Sequence, residues 1–153
     1  MEPADPIEPA IQFFAEDLDF EWDQQEALSD WISDAIVQEG KSLGFVNFIL
    51  CTDAYLLEMN LRYLEHDTLT DVITFPYHTD PIEGDVFISL DRIYDNAAKF
   101  DVTVLHELNR VMIHGVLHLC GYDDHDVEAK AHMSLLEDRY LSKWKSGEYL
   151  PAQ

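Results

Sequence analysis

The stretch from Val111 to Asp126 reads VMIHGVLHLCGYDDHD. It sets His114 and His118 four residues apart within an apolar run, ends that run at Gly121, and continues at once into Asp123, Asp124, His125 and Asp126. On a helix, a spacing of four places two side chains about 40° apart around the axis and one turn apart along it. Both imidazoles can then reach one ion. Glycine adopts the left-handed conformation that ends helices without a steric penalty, so Gly121 predicts the helix stop. The chain turning back there can bring one of the following acidic or imidazole groups toward the open side of the pair. Three protein ligands with a position left for water is a metal-hydrolase arrangement.

Around the histidines, Val111, Met112, Ile113, Val116, Leu117 and Leu119 predict a buried helix, where an unpartnered imidazole is costly. Gly115 weakens such a helix by about 1 kcal/mol relative to alanine, and is read as clearing space for an ion or a substrate. An HExxH zinc protease takes its general base from the residue after the first histidine. That residue here is Gly115, which argues against peptide hydrolysis. Asp123, Asp126 or a group of the substrate are the candidates for moving protons, and the sequence does not choose among them.

The segment HGVLHLCGYDDHD resembles the HGxLHLxGYDH signature of the YbeY family. Upstream, TDVITFP at Thr70 to Pro76 is similar to that family's TDVLSFP, and GDVFIS at Gly84 to Ser89 to its GDIxIS. Asn60 keeps the family's spacing ahead of the first element, and Glu107 to Arg110 fits the ExxR that leads into the histidine helix. The resemblance runs from about Phe45 to Tyr140 in one order. It implies an α+β fold of zincin-like type, with a small mixed sheet covered by helices. It implies a single-strand-specific, zinc-dependent endoribonuclease of ribosomal RNA maturation, in late processing of the small-subunit RNA 3′ end and in ribosome quality control. One Zn2+ is the implied cofactor, and single-stranded RNA and the small ribosomal subunit are the implied partners; DNA is not expected.

Two positions depart from the family pattern. The third ligand is usually a histidine six residues after the second, and Asp124 stands there. A carboxylate serves zinc in two-histidine sites, so His114, His118 and Asp124 are the expected ligands, with His125 as the alternative for the third. The carboxylate makes a bound ion a weaker Lewis acid than a third imidazole does. Leu64 stands where the family commonly has an arginine just after the aromatic at Tyr63. His66 and Asp67 are nearby polar candidates, read as a solvated turn. A non-catalytic assembly factor with a structural metal, and another metal hydrolase such as a protease, are the rival readings.

A chain of 153 residues is expected to form one domain. Its 47% hydrophobic content fits a folded globule, and no apolar run approaches the length of a membrane span. The acidic, proline-bearing start MEPADPIEPAI is unlike a secretory signal, and the expected location is the cytoplasm. Cys51 and Cys120 are read as small buried hydrophobes without a disulfide. The 31 acidic residues against 9 basic ones give a net charge of −22, which repels a polyanion at low ionic strength. Molar salt screens that repulsion, and such surfaces suit high-salt cytoplasms, so a salt-rich host is a hypothesis that maximal activity at low salt would refute. Arg62, Arg92, Lys99 and Arg110 are expected to be solvated or internally paired rather than to bind phosphate.

Strands are expected at Ile11 to Glu16, Phe45 to Thr52, Asp71 to Pro76 and Asp85 to Leu90, with a turn-rich segment from His78 to Gly84. Helices are expected from Asp23 to Glu39, after Thr52 or Asp53, from Ser89 or Asp91 to Phe100, from Thr103 through the histidines, and from Asp126 to Lys145. On the last, Met133, Leu136 and Tyr140 form a core stripe. His132, Glu137, His78 and His106 are expected at the surface.

Overall fold

The computed structural model describes residues 8–64, 70–145 and 148–149. Its framework is a four-stranded sheet of β1 (Ala10–Ala15), β2 (Leu43–Cys51), β3 (Val72–Thr79) and β4 (Ile82–Ser89), ordered β1-β2-β4-β3. β1, β2 and β4 run parallel, and β3 pairs antiparallel with β4 at one edge. The helices are α1 (Gln25–Gln38), α2 (Asp53–Leu64), α3 (Leu90–Phe100), α4 (Val104–Leu119) and α5 (Val127–Leu141), and β5 (Trp144–Lys145) pairs with β6 (Glu148–Tyr149). The fold is therefore α+β with a mixed sheet covered by helices, as the sequence predicts.

Strand alternation sorts the sheet into two faces. Val46, Phe48 and Leu50 of β2 and Val86 and Ile88 of β4 face α1 and α4, and with Trp31, Ile32, Ile36, Met112, Ile113 and Val116 make the main core. On the other face Cys51 and Ile73 meet Leu56 of α2 in a smaller cluster. β2 is apolar toward both faces because helices cover it on both.

The helix boundaries follow from their caps. Thr52 Oγ1 accepts from Tyr55 N, Ser89 Oγ from Arg92 N at the start of α3, and Thr103 Oγ1 from His106 N at the start of α4. Each such acceptor satisfies one of the N–H groups a helix start leaves over. Gly121 has a φ of +106° and ends α4 as expected.

Two local expectations need correction. The segment from His78 to Gly84 is not a long turn: β3 runs to Thr79 and β4 resumes at Ile82, so the hairpin closes over Asp80 and Pro81. Asp80 Oδ1 accepts from Ser42 N and Oγ, which ties that hairpin to the start of β2. The last helix stops at Leu141, and Trp144 and Lys145 are extended. Trp144 packs edge-on against Trp31, so this side chain covers α1 instead of prolonging the helix.

Candidate metal centre

α4 carries both histidines, and the sheet fixes its position. Gly115, between them, lies against β4: a Cβ built there would stand 2.7 Å from Val86 Cγ1 and 3.5 Å from Thr74 Cγ2. This corrects the reading of Gly115 as room for an ion. The glycine lets the helix backbone approach the sheet, and the imidazoles emerge beside that contact.

His114 Nε2 and His118 Nε2 lie 2.9 Å apart. Asp124, delivered by the loop after Gly121, places Oδ2 3.4 Å from His114 Nε2 and Oδ1 3.8 Å from His118 Nε2. One ligand atom from each of the three residues lies within 4.8 Å of the other two. Four ligands at zinc distances form a tetrahedron with edges of about 3.3 Å, so these separations match a metal's ligand set. His125 is exposed and lines the same cleft without joining the cluster.

The outer nitrogens explain why the inner ones point together. His118 Nδ1 is 2.9 Å from the Tyr122 carbonyl, which can only accept, so the proton sits on Nδ1 and Nε2 offers a lone pair. His114 Nδ1 is 2.9 Å from Glu137 Oε2, a carboxylate with the same demand. Two lone pairs and a carboxylate thus converge at separations of 2.9 to 3.8 Å. Such a donor set is repulsive unless a cation or a proton sits among its members, so the residues present fit a metal ion. Their titration differs. For His118, burial and repulsion from His114 hold the pKa below the ordinary histidine value. For His114, burial acts in the same direction, but the Glu137 hydrogen bond and the charges of Glu137, Asp71 and Asp124 outweigh it and raise the pKa.

Glu137 is the functional residue that sequence reasoning missed. Expected at the surface, it is 5% exposed. Its Oε1 accepts from Arg110 Nη1 at 3.1 Å, and Arg110 also donates to Glu107 Oε1 and Oε2 at 2.8 and 2.6 Å and lies 3.8 Å from Asp71. Glu107 is 1% exposed. The guanidinium compensates buried carboxylates on two helices, and its own pKa is raised by them. A signal did exist: Glu137 is four residues after Met133 and three before Tyr140, on the stripe read as core.

The cleft before the cluster holds about 400 Å³ and is bordered by Asn60, Leu64, Thr70 to Thr74, the two histidines, Asp124 and His125. Asn60 is buried, and Leu64 takes an exposed place on the wall. Among the described residues, Asp71 is the carboxylate of this wall outside the cluster. Of the earlier candidates for proton transfer, Asp123 is exposed and Asp126 caps α5 by accepting from Ala129 N. His66 and Asp67 fall outside the described residues. His78, His106 and His132 are exposed, as expected.

The three arginines near the signature segments are internally paired. Arg62 meets Glu58, Arg92 meets Asp53 and Asp95, and Arg110 meets Glu107, Glu137 and Asp71, while Lys99 lies over the Phe100 ring. Both cysteines are free thiols. Among the described residues no helix is long and apolar enough to cross a membrane.

An α+β fold with two histidines one turn apart on a helix, a carboxylate on the next loop and a cleft in front has the features of the metal-dependent hydrolases. The comparisons give the particular family. Residues 11–145 match the model of the endoribonuclease YbeY family. The endoribonuclease YbeY of Flavobacterium psychrophilum is 48% identical over 129 residues, covering 84% of this chain and 92% of that one. That of Amoebophilus asiaticus is 45% identical, covering 86% and 90%. The solution structure of TM1509 from Thermotoga maritima superposes with a TM-score of 0.61 at 26% identity, covering 87% of each chain. The chain belongs to the endoribonuclease YbeY family.

Proposed function

We propose that this chain is a zinc-dependent endoribonuclease that cuts single-stranded RNA in the cytoplasm, within ribosomal RNA maturation on the small ribosomal subunit, with His114, His118 and Asp124 as its metal ligands. The observation that carries this reading is the convergence of two imidazole Nε2 atoms and a carboxylate at the floor of an open cleft. When bound there, an ion supplies Lewis acidity toward a phosphodiester and its attacking water. The chain's own groups do the rest. Tyr122 and Glu137 hold the two ring orientations, and Asp71 is the cleft carboxylate placed to exchange protons with a substrate.

With Arg62, Arg92 and Arg110 paired to carboxylates and a net charge of −22, RNA has to approach against repulsion. Ions at about 1 M shorten the Debye length to roughly 3 Å and remove most of that barrier. The test is metal content and cleavage of a single-stranded RNA, at low and molar potassium chloride, for the wild type, His118→Ala, Asp124→Ala and His125→Ala. Loss of metal and cleavage in the first two variants, their retention in the third, and faster cutting at high salt support the proposal. A wild type that holds metal but cuts no RNA at either salt refutes it and favours a structural metal in an assembly factor.

A further inference from the structure

We infer that Glu137 is the positioning residue of the centre: it selects the tautomer of His114 whose Nε2 lone pair faces the cluster, and Arg110 fixes Glu137 for that task. The inference rests on the metal-site reading above for one of its two readouts only.

Three observations combine. Glu137 receives two donors, His114 Nδ1 on Oε2 at 2.9 Å and Arg110 Nη1 on Oε1 at 3.1 Å. It is nearly inaccessible to water, so no solvent molecule substitutes for either partner. Arg110 is held in turn by both oxygens of the buried Glu107, one turn earlier on the helix that carries His114. The guanidinium therefore cannot swing away, and the carboxylate has one orientation. In it, a proton on His114 Nδ1 gains a charged hydrogen bond, whereas a proton on Nε2 would leave Nδ1 facing a carboxylate lone pair to lone pair. His118 solves the same problem with the Tyr122 carbonyl. The two rings are thus oriented from different elements, His118 by its own loop and His114 by α5. Only the second involves a charge.

Glu137→Gln separates this role from packing, because it conserves shape and cannot satisfy both neighbours. Its carbonyl oxygen can accept from Arg110 or from His114, and its NH2 group then faces the other. With the amide N–H turned to His114 Nδ1, the ring proton moves to Nε2 and occupies the lone pair a metal needs. The first readout is the His114 tautomer of the metal-free protein at alkaline pH, from nitrogen-15 NMR of labelled histidine. The wild type is expected to be protonated at Nδ1, and Glu137→Gln to shift toward Nε2 or to a mixture. The second is zinc affinity by competition with a chromophoric chelator, expected to fall 10- to 100-fold. Circular dichroism of the metal-free variant checks the fold.

If Glu137→Gln does not fold, Glu137→Asp carries both readouts, since it keeps the charge near Arg110 and withdraws it from the ring. A variant that keeps the Nδ1 proton and binds zinc within about threefold of the wild type overturns the inference. A tautomer shift without a change in affinity overturns it equally. If the wild type binds no zinc, the proposed function fails, and the tautomer measurement still decides the role of Glu137.

Discussion

The contact between Gly115 and β4 can be tested quantitatively with Gly115→Ala. The new methyl would stand 2.7 Å from Val86 Cγ1, where carbon atoms in contact prefer about 3.5 to 4.0 Å, so helix and sheet must separate by roughly 1 Å or the valine must leave its rotamer. Val86 is fully buried on a central strand and has little freedom to do so. Overpacking of this kind costs about 1 to 3 kcal/mol. Alanine in place of glycine returns about 1 kcal/mol of helix propensity, which leaves a net loss of about 0 to 2 kcal/mol. Val86→Ala alone should cost about 2 to 3 kcal/mol through lost burial and a cavity. The double variant removes the methyl that clashes and fills part of the gap, so the two changes should couple favourably by about 1 to 2 kcal/mol. Urea unfolding followed by tryptophan fluorescence yields the four free energies, with Trp31 and Trp144 in and against the core as reporters. Single effects that add to within about 0.5 kcal/mol, or a Gly115→Ala variant stabilised by the full propensity gain, would refute the close-approach argument.

Three further outcomes follow from the same structure. Glu39, at the end of α1, accepts from the hydroxyls of both Tyr122 and Tyr140, so Glu39→Ala should lower stability by about 2 to 4 kcal/mol, read as a drop in the urea midpoint. Burial raises the thiol pKa of Cys51 to about 12 and of Cys120 to about 11, from an ordinary 9.0. At pH 8 the Cys120 thiolate is then roughly a hundredfold rarer than in an unfolded chain, so alkylation should be slow in the native protein and fast in urea, with the native rate climbing as pH rises. Asp80 has its pKa lowered by the Ser42 N–H and then by the Ser42 hydroxyl, so its contribution is present above the ordinary carboxylate range and fades as pH falls through the lowered value. Asp80→Asn should flatten the profile as pH falls through and below the ordinary carboxylate range, measured as the urea midpoint at each pH.

What could be read in the sequence is what local rules determine. The helix of the histidines, its Thr103 cap and its Gly121 stop are each specified within a few residues, and the structure keeps all three. Alternation and apolar runs likewise located the four strands. The order β1-β2-β4-β3 depends on pairings between strands far apart in the chain, for which no short pattern exists. Gly115 was misread because a missing side chain can serve either a ligand or a neighbouring strand, and only the position of Val86 distinguishes them. Glu137 was misread because residue type outweighed position. Its partners His114 and Arg110 lie 23 and 27 residues earlier, on another helix, and a charged side chain on a core stripe reads as an interruption until those partners are in place.

β3 lies at the edge of the sheet, paired on one side only, and the stretch from Thr70 to Thr74 borders the cleft. An edge strand presents main-chain N–H and C=O groups on its open side. These groups are hydrogen-bonding but carry no net charge. Cationic side chains that neutralise phosphates displace the counterions of a nucleic acid, which makes affinity fall steeply with salt. Main-chain donors displace almost none, so hydrogen bonds made along such an edge are weakened little by salt. Hydrogen bonds along this rim are therefore tolerant of salt, while the acidic exterior acts on the approach of a polyanion and its repulsion is what salt removes.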